Sequence, residues 1–465
     1  MYAGSCRVIF LTGISYPLSS TTYPILMIDL KIPDSSPVER LSRNHYYRGL
    51  YPAPTAFTNT FNPKTYLNQV NKGGTNRRPL LIDLHFPPYY GNALLRNNHR
   101  NPKKAHHDAL LRQYVDYLIR EIRLLRDFCQ QAPKIEQITI DGGMQMLLDR
   151  HQFERLVQTL EQNFRLDQKT VFSATLNPRF SRNTLISIYQ EIGINEIAID
   201  ARNLNTHDLL HPDDEHTAIR HEIMTLNAIH AAQRAGFTSI RITLGITKPF
   251  ENKLDAALEK IVTTHPNRID LRYFGEPAIK NAAEDQIHVR LHAARLLSNA
   301  GYIHIGLNSF AHHDDPLVKA QQQGRLHYGI QGYSIFPDSD VLALGVSAIG
   351  KMGAILLQKH QNLACYYAEL DQNQFPAMRG LELSLDDLLR RSVIYALISH
   401  GIISFESAET FFSIDFRRYF ATELTALRTH ESTGLLNIND EEIAVTTKGR
   451  FFIDSICRIF DRYLN

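Results

Sequence analysis

Apolar and polar positions along the chain follow two alternating rhythms from about residue 79 onwards. Short runs such as PLLIDLHF, IEQITIDGG and TVFSATLNP carry apolar residues at strand spacing. Between them lie longer segments of helical period. In HHDALLRQYVDYLIREIRLLRDFCQQ the residues Leu110, Leu111, Tyr114, Tyr117, Leu118, Ile122 and Leu125 recur on one helix face. INEIAIDARNL, TSIRITLGI and RIDLRYFGEP supply three further strands, each followed by a helical stretch. Several helices end in glycine (Gly193, Gly236, Gly301) just before the next strand, where a left-handed cap is expected. This alternation predicts an α/β fold with a parallel sheet. Six strand–helix units favour a six-unit (βα) partial TIM-like barrel, with a doubly wound sheet as the alternative.

The rhythm changes after residue 302. Short apolar runs broken by Gly and polar residues read as loops and short strands covering an opening. From residue 383 the pattern is helical again, with one hairpin-like stretch, LLNINDEEIAVTTKG, which predicts a helical, winged-helix-like C-terminal domain. The expected organisation is a tail over 1–43, a short element over 44–78, the barrel over 79–310, the cover over 311–382 and the C-terminal domain over 383–465. The tail is read as disordered or as an over-extended start, with residues 1–26 as a weak targeting segment in the alternative.

Composition narrows the function classes. Of 465 residues, 50 are Lys or Arg and 48 are Asp or Glu, a balance that offers no general field for nucleic acid or anionic membrane. No window of about 20 apolar residues suggests a membrane span. The four cysteines, Cys6, Cys129, Cys365 and Cys457, form no CxxC or CxxxC pair, which suits a cytoplasmic protein with free thiols. No Walker loop, GxSxG or Rossmann fingerprint occurs. Barrel chemistry collects at the C-terminal ends of the strands. Those ends carry His85, Asp141-Gly142-Gly143, Thr175, Asp200, Arg202, Thr243 and Glu276. The 21 histidines include the doublets His106-His107 and His312-His313, and no set matches a known metal motif, so no metal site is predicted.

Longer phrases carry a family resemblance. QGY (331–333), GVSAIG (345–350), MRG (378–380), VTTKGR (445–450) and YRGLYPAPTAF (47–57) resemble the radical-SAM coproporphyrinogen III oxidase/dehydrogenase family, of HemN and HemW type, over about 46–464. The resemblance implies a partial barrel of radical-SAM type, a [4Fe-4S] cluster on a CxxxCxxC loop after strand one, and S-adenosylmethionine. Set against the family pattern through His85-Phe86-Pro87, the cluster cysteines fall on Tyr89, Ala93 and Arg96. The S-adenosylmethionine positions fall on Asp141, Gly142, Gly143, Met144, Thr175, Arg202 and Thr243.

These departures lead to the expectation of a non-catalytic homologue that takes neither [4Fe-4S] nor S-adenosylmethionine and binds heme or a porphyrin. The expected partners are a tetrapyrrole or a heme-pathway protein, with no nucleic acid and no membrane. The resemblance suggests a pocket from Arg48, Tyr51, His85, His312, His313, Gln331, Tyr333 and Arg379, with His85, His312 or His313 as axial ligand. An active coproporphyrinogen III oxidase, a scaffold for an intact relative, and a different reaction in the same barrel are the competing expectations.

Overall fold

The computed structural model describes residues 50–73, 78–87, 104–179, 183–201, 215–246, 251–273 and 282–464. The expected N-terminal tail, Arg48, and the loop holding Tyr89, Ala93 and Arg96 lie outside these residues, as does Arg202. The chain divides into two units. The barrel unit is Pro54–Phe274 with Ser339–Ser384; the second unit is Gly275–Asp338 with Leu385–Asn465 and the segment up to Ala53.

In the barrel unit, helix α1 (Pro63–Gly73) precedes strand β1 (Leu80–His85). Then follow α2 (Lys104–Asp127), β2 (Gln137–Asp141), α3 (Arg150–Asn163), β3 (Val171–Leu176), α4 (Asn183–Glu191), β4 (Glu196–Ala201), α5 (Glu215–Arg234), β5 (Ser239–Ile246), α6 (Glu251–Val262) and β6 (Arg268–Tyr273). The strands are parallel and stand in chain order from β1 to β6. Sequential order with same-handed crossovers puts the helices on one face, which is barrel-type winding and excludes the doubly wound alternative.

Residues 339–384 differ from the expected cover. Asp340–Leu344 pairs parallel with β1, and Ile349–Met352, Ile355–Lys359 and Ala377–Glu382 continue the sheet antiparallel. Four short strands with one helix, Leu363–Asp371, between the last two have no repeating βαβ rhythm, so only the pairing partner reveals them.

Each strand from β1 to β6 has one apolar face. Ile82, Leu84, Ile138, Ile140, Phe172, Ala174, Leu176, Ile197, Ile199, Ile240, Ile242, Leu244, Ile269 and Leu271 are all buried. Ile229 and Ala232 of α5 and Leu254, Leu258 and Ile261 of α6 are buried with them. The other face is polar, and it carries the candidate site.

The second unit holds the helix Ala282–Asn299, the hairpin Tyr302–Gly306/Ser309–His312, and the C-terminal region. There Leu385–His400, Phe405–Phe412 and Ala421–Ser432 accompany a three-stranded sheet of Ile402–Ser404, Glu442–Val445 and Leu436–Ile438. This is the winged-helix-like pattern expected from the sequence.

Three histidines, two buried and His400 half-buried, give this unit an acid sensitivity. Burial, reinforced by Arg450, pulls His304 down to about 3. Burial and Arg450 take His400 to about 4, and burial with His400 nearby takes His327 to about 4. An unfolded histidine titrates near 6.5, so below about 6.5 the unfolded chain binds protons that the folded chain refuses. Their contribution to stability is therefore present above about 6.5 and is lost as pH falls towards 4 and below. Asp454 and Asp461, pushed up by burial, oppose this at lower pH. The urea midpoint is expected to drop between pH 7.5 and pH 5.5, and to drop less in a His304→Asn protein. An equal or higher midpoint at pH 5.5 contradicts this.

Candidate functional site

Register places the polar side chains of the parallel strands in rows. Asp83 stands level with Thr139, Ser173 and Glu196. His85 stands level with Asp141, one row nearer the C-terminal ends, and Asp200 with Thr243 and Asp270. Residues paired at the same level of a parallel sheet point to the same side. The polar face thus carries acids from β1, β2, β4 and β6 and arginines from β5 and β6. Arg241 lies 3.8 Å from Asp270, and Arg272, at the C-terminal end of β6, is exposed.

The end of β1 is fixed from several sides. His85 Nδ1 lies 2.7 Å from the Val346 carbonyl. A carbonyl only accepts, so Nδ1 carries the proton in this bond. The Tyr114 hydroxyl donates to the His85 carbonyl at 2.6 Å and accepts from Val346 N at 3.0 Å. Gly345, at φ +97, lies where a Cβ would come within 2.2 Å of the His85 carbonyl oxygen. Beneath this loop, Glu121 accepts from Gly345 N (2.7 Å) and the Tyr366 hydroxyl (2.6 Å), and pairs with Lys359 Nζ at 2.5 Å. Both charged side chains are fully buried. Lys359 also sits 3.2 Å above the Phe375 ring.

The turn after β2 is built on glycine. Gly142 and Gly143 have φ of +120 and +132, and a Cβ on Gly142 would lie 1.7 Å from the Phe86 carbonyl oxygen. Phe86 N donates to the Asp141 carbonyl (2.7 Å), and Met144 N donates to that of Pro87 (3.0 Å), so the turn is laced to the segment after β1. The Asp141 carboxylate accepts from Gly142 N at 2.7 Å. Gln145 accepts from Gly143 N at 2.5 Å and donates to the Thr175 carbonyl at 3.1 Å, tying this turn to β3. Burial pushes Asp83 up to about 6; His85 opposes this and Asp141 adds to it.

The sequence-predicted positions therefore meet in part. Asp141, Gly142, Gly143, Thr175 and Thr243 lie at or near the C-terminal ends of neighbouring strands, and Met144 is buried behind the turn. The pocket residues divide between the units. His85 and Arg379 belong to the barrel unit, where Arg379 Nε donates to Gln358 at 2.7 Å. Tyr51, His312, His313, Gln331 and Tyr333 belong to the second unit. There Tyr51 is fully buried and donates to Asp387, so it lines no opening. Tyr333 donates to the Ile398 carbonyl at 3.3 Å and packs on Tyr328, while Gln331 keeps buried amide atoms without a hydrogen-bond partner. Sequence reading missed Glu121, Lys359, Glu196, Arg241 and Arg272. The last two were visible as the polar beats of TSIRITLGI and RIDLRY.

Comparison with known proteins adds the identity of the scaffold. The HemN C-terminal domain family matches residues 383–452. The chain is 28% identical over 449 residues to the oxygen-independent coproporphyrinogen III oxidase of Synechocystis, covering 90% of this chain and 94% of that protein. It is 29% identical to the oxidase of the same name from Salmonella typhimurium, covering 89% and 92%. Among solved structures, HemN from Escherichia coli, described as a coproporphyrinogen III oxidase and a radical SAM enzyme, matches with a TM-score of 0.77 and 27% identity over 90% of this chain and 98% of that one.

This corrects the expectation that neither [4Fe-4S] nor S-adenosylmethionine belongs to the protein. That expectation rested on the substituted cluster and S-adenosylmethionine positions taken together, whereas the proteins matched along nearly their whole length are oxygen-independent oxidases, and the solved one is a radical SAM enzyme, a class that uses both. Among the described residues no helix is long and apolar enough to cross a membrane. Sheet order, glycine turn, C-terminal domain and full-length likeness agree: the chain is HemN-like along nearly its whole length and has the radical-SAM fold.

Proposed function

We propose that this chain binds a coproporphyrinogen-class tetrapyrrole, the substrate that names its relatives, and that oxygen-independent coproporphyrinogen III oxidation is the reaction to which the binding belongs. The observation that supports this most is the full-length likeness to HemN, at a TM-score of 0.77.

What the chain's own residues offer differs between the cofactors. The Gly142-Gly143 turn stands at the strand ends with its N–H groups already held by Asp141, Gln145 and Pro87, so it would meet the ammonium group of S-adenosylmethionine with carbonyl oxygens. In the family, the cluster and S-adenosylmethionine together supply a deoxyadenosyl radical. Thiolates for the cluster do not fit at the family positions, since the chain has no cysteine between Cys6 and Cys129. Cys129 follows α2 with its thiol on the Leu125 carbonyl, Cys365 is exposed, and Cys457 is buried in the second unit.

Tetrapyrrole binding is argued from the polar face. The propionates of a coproporphyrinogen call for guanidinium donors, and Arg272 presents one, exposed, at the C-terminal end of β6. A charge-assisted hydrogen bond contributes about 1.5–3 kcal/mol, so Arg272→Ala is expected to weaken coproporphyrinogen binding by about 10- to 100-fold. Unchanged binding removes Arg272 from the site.

The deciding experiment is anaerobic iron–sulfur reconstitution followed by metal analysis, binding of coproporphyrinogen III and hemin, and assay of turnover. About four irons per chain with turnover supports the oxidase. Iron-free protein that binds the tetrapyrrole leaves binding alone standing. No binding at micromolar concentration overturns the proposal.

A further inference from the structure

We propose that His312, His313 and Asp314 of the second unit form a site for a divalent transition-metal ion of the zinc, cobalt or nickel class. His312 closes the second strand of the hairpin Tyr302–Gly306/Ser309–His312, and its ring meets that of Tyr302 edge-on at 6.1 Å. The chain then turns: Asp315 N donates to the His312 carbonyl at 2.9 Å, which brings Asp314 back beside both imidazoles. Asp314 Oδ2 lies 3.2 Å from His313 Nε2 and 3.8 Å from His312 Nδ1. One ligand atom from each of the three residues falls within 4.8 Å of the others, the one such group found among the described residues.

Those spacings suit an ion. Ligand bonds of about 2.0–2.2 Å at tetrahedral angles put neighbouring donor atoms roughly 3.3–3.5 Å apart, so small side-chain rotations close the set. Two imidazoles and one carboxylate select borderline ions over magnesium or calcium, which take oxygen donors. The neighbouring Asp315 is committed elsewhere: its carboxylate accepts from Leu317 N at 2.8 Å as the cap of Pro316–Gln322. Asp314 is largely exposed and has no such duty. Three protein ligands leave a fourth position for water or for a carboxylate from outside the chain. An ion here would hold the end of the hairpin to the turn that follows it.

The test uses the tag-free full chain with Co²⁺ as probe and Zn²⁺ as competitor. Visible absorption of tetrahedral Co²⁺, bleached by Zn²⁺ at one ion per chain, is the expected result. Groups that merely orient a metal ligand already change affinity about 10- to 100-fold, so a His312→Ala/His313→Ala protein should bind at least tenfold more weakly. Asp314→Asn should weaken binding while leaving the metal-free circular dichroism unchanged. Absence of Co²⁺ absorption at about 100 μM, or a double variant that binds like the parent, overturns the site; metal-free circular dichroism of the double variant separates loss of ligands from loss of fold.

Discussion

A Lys359→Met protein is expected to be about 3–5 kcal/mol less stable than the parent, because it strands the Glu121 carboxylate in a fully buried position. Burial pulls the Lys359 ammonium down to about 8, and Glu121, 2.5 Å away, opposes this as its counter-charge. Glu121 would keep its donors, Gly345 N and the Tyr366 hydroxyl, but lose its counter-charge. Methionine keeps most of the volume above Phe375, so the loss reports charge rather than a cavity. Removing both charges is a different matter: buried pairs replaced by apolar groups are often neutral or stabilising. A Glu121→Leu/Lys359→Met protein should therefore recover much of the loss, less the two hydrogen bonds that Glu121 accepted, at about 1 kcal/mol each. Urea unfolding of the parent, both single variants and the double variant closes the cycle. A single-variant cost below about 1 kcal/mol, or a double variant as unstable as the sum, shows that the pair is not coupled. Since the Gly345–Val346 loop also holds the His85 ring, the single variants should disturb the end of β1 before they unfold the chain.

The legible part of the fold was the part with local rhythm. Each of the six barrel strands carries its own apolar face, and each helix its own stripe, so a window of ten or twenty residues contains the signal. Residues 339–384 lacked one. VLAL and ILLQK are buried on both sides and look alike as strand or helix, and Val341 finds its place only by pairing with Leu81, 260 positions earlier. Glu121 and Lys359 were hidden for the same reason: 238 positions apart, each looks like a solvated charge until the fold buries both. At the candidate site, phrases such as DGGMQ marked the turn correctly, because a glycine pair at a strand end has few structural meanings. The cofactor expectation failed because it set the joint loss of the cluster and S-adenosylmethionine positions above the likeness to radical SAM oxidases, which extends over about 90% of the chain.

The Gly142→Ala protein is the second variant with a large expected effect, and Gly193→Ala is its control. Both glycines have positive φ, +120 and +88, so both substitutions bear the cost of a backbone region that L side chains avoid, about 1–3 kcal/mol. At Gly193 a Cβ would meet nothing within 4 Å. At Gly142 it would lie 1.7 Å from the Phe86 carbonyl oxygen and 2.7 Å from Phe86 N, which is backbone and cannot swing aside. Relief requires pulling the turn off the end of β1, which breaks the bonds from Phe86 N to Asp141 and from Met144 N to Pro87. Overpacking adds about 1–3 kcal/mol, so Gly142→Ala should cost about 2–6 kcal/mol in all, clearly more than the control. The displacement also moves the turn proposed to face S-adenosylmethionine and shifts Gln145, which ties it to β3. Binding of S-adenosylmethionine, measured calorimetrically at a temperature where both variants are folded, should then fall by at least about tenfold in Gly142→Ala and hold in Gly193→Ala. Equal stability losses in the two variants would show that close approach to Phe86 does not govern this turn, and equal binding would separate the turn from the cofactor.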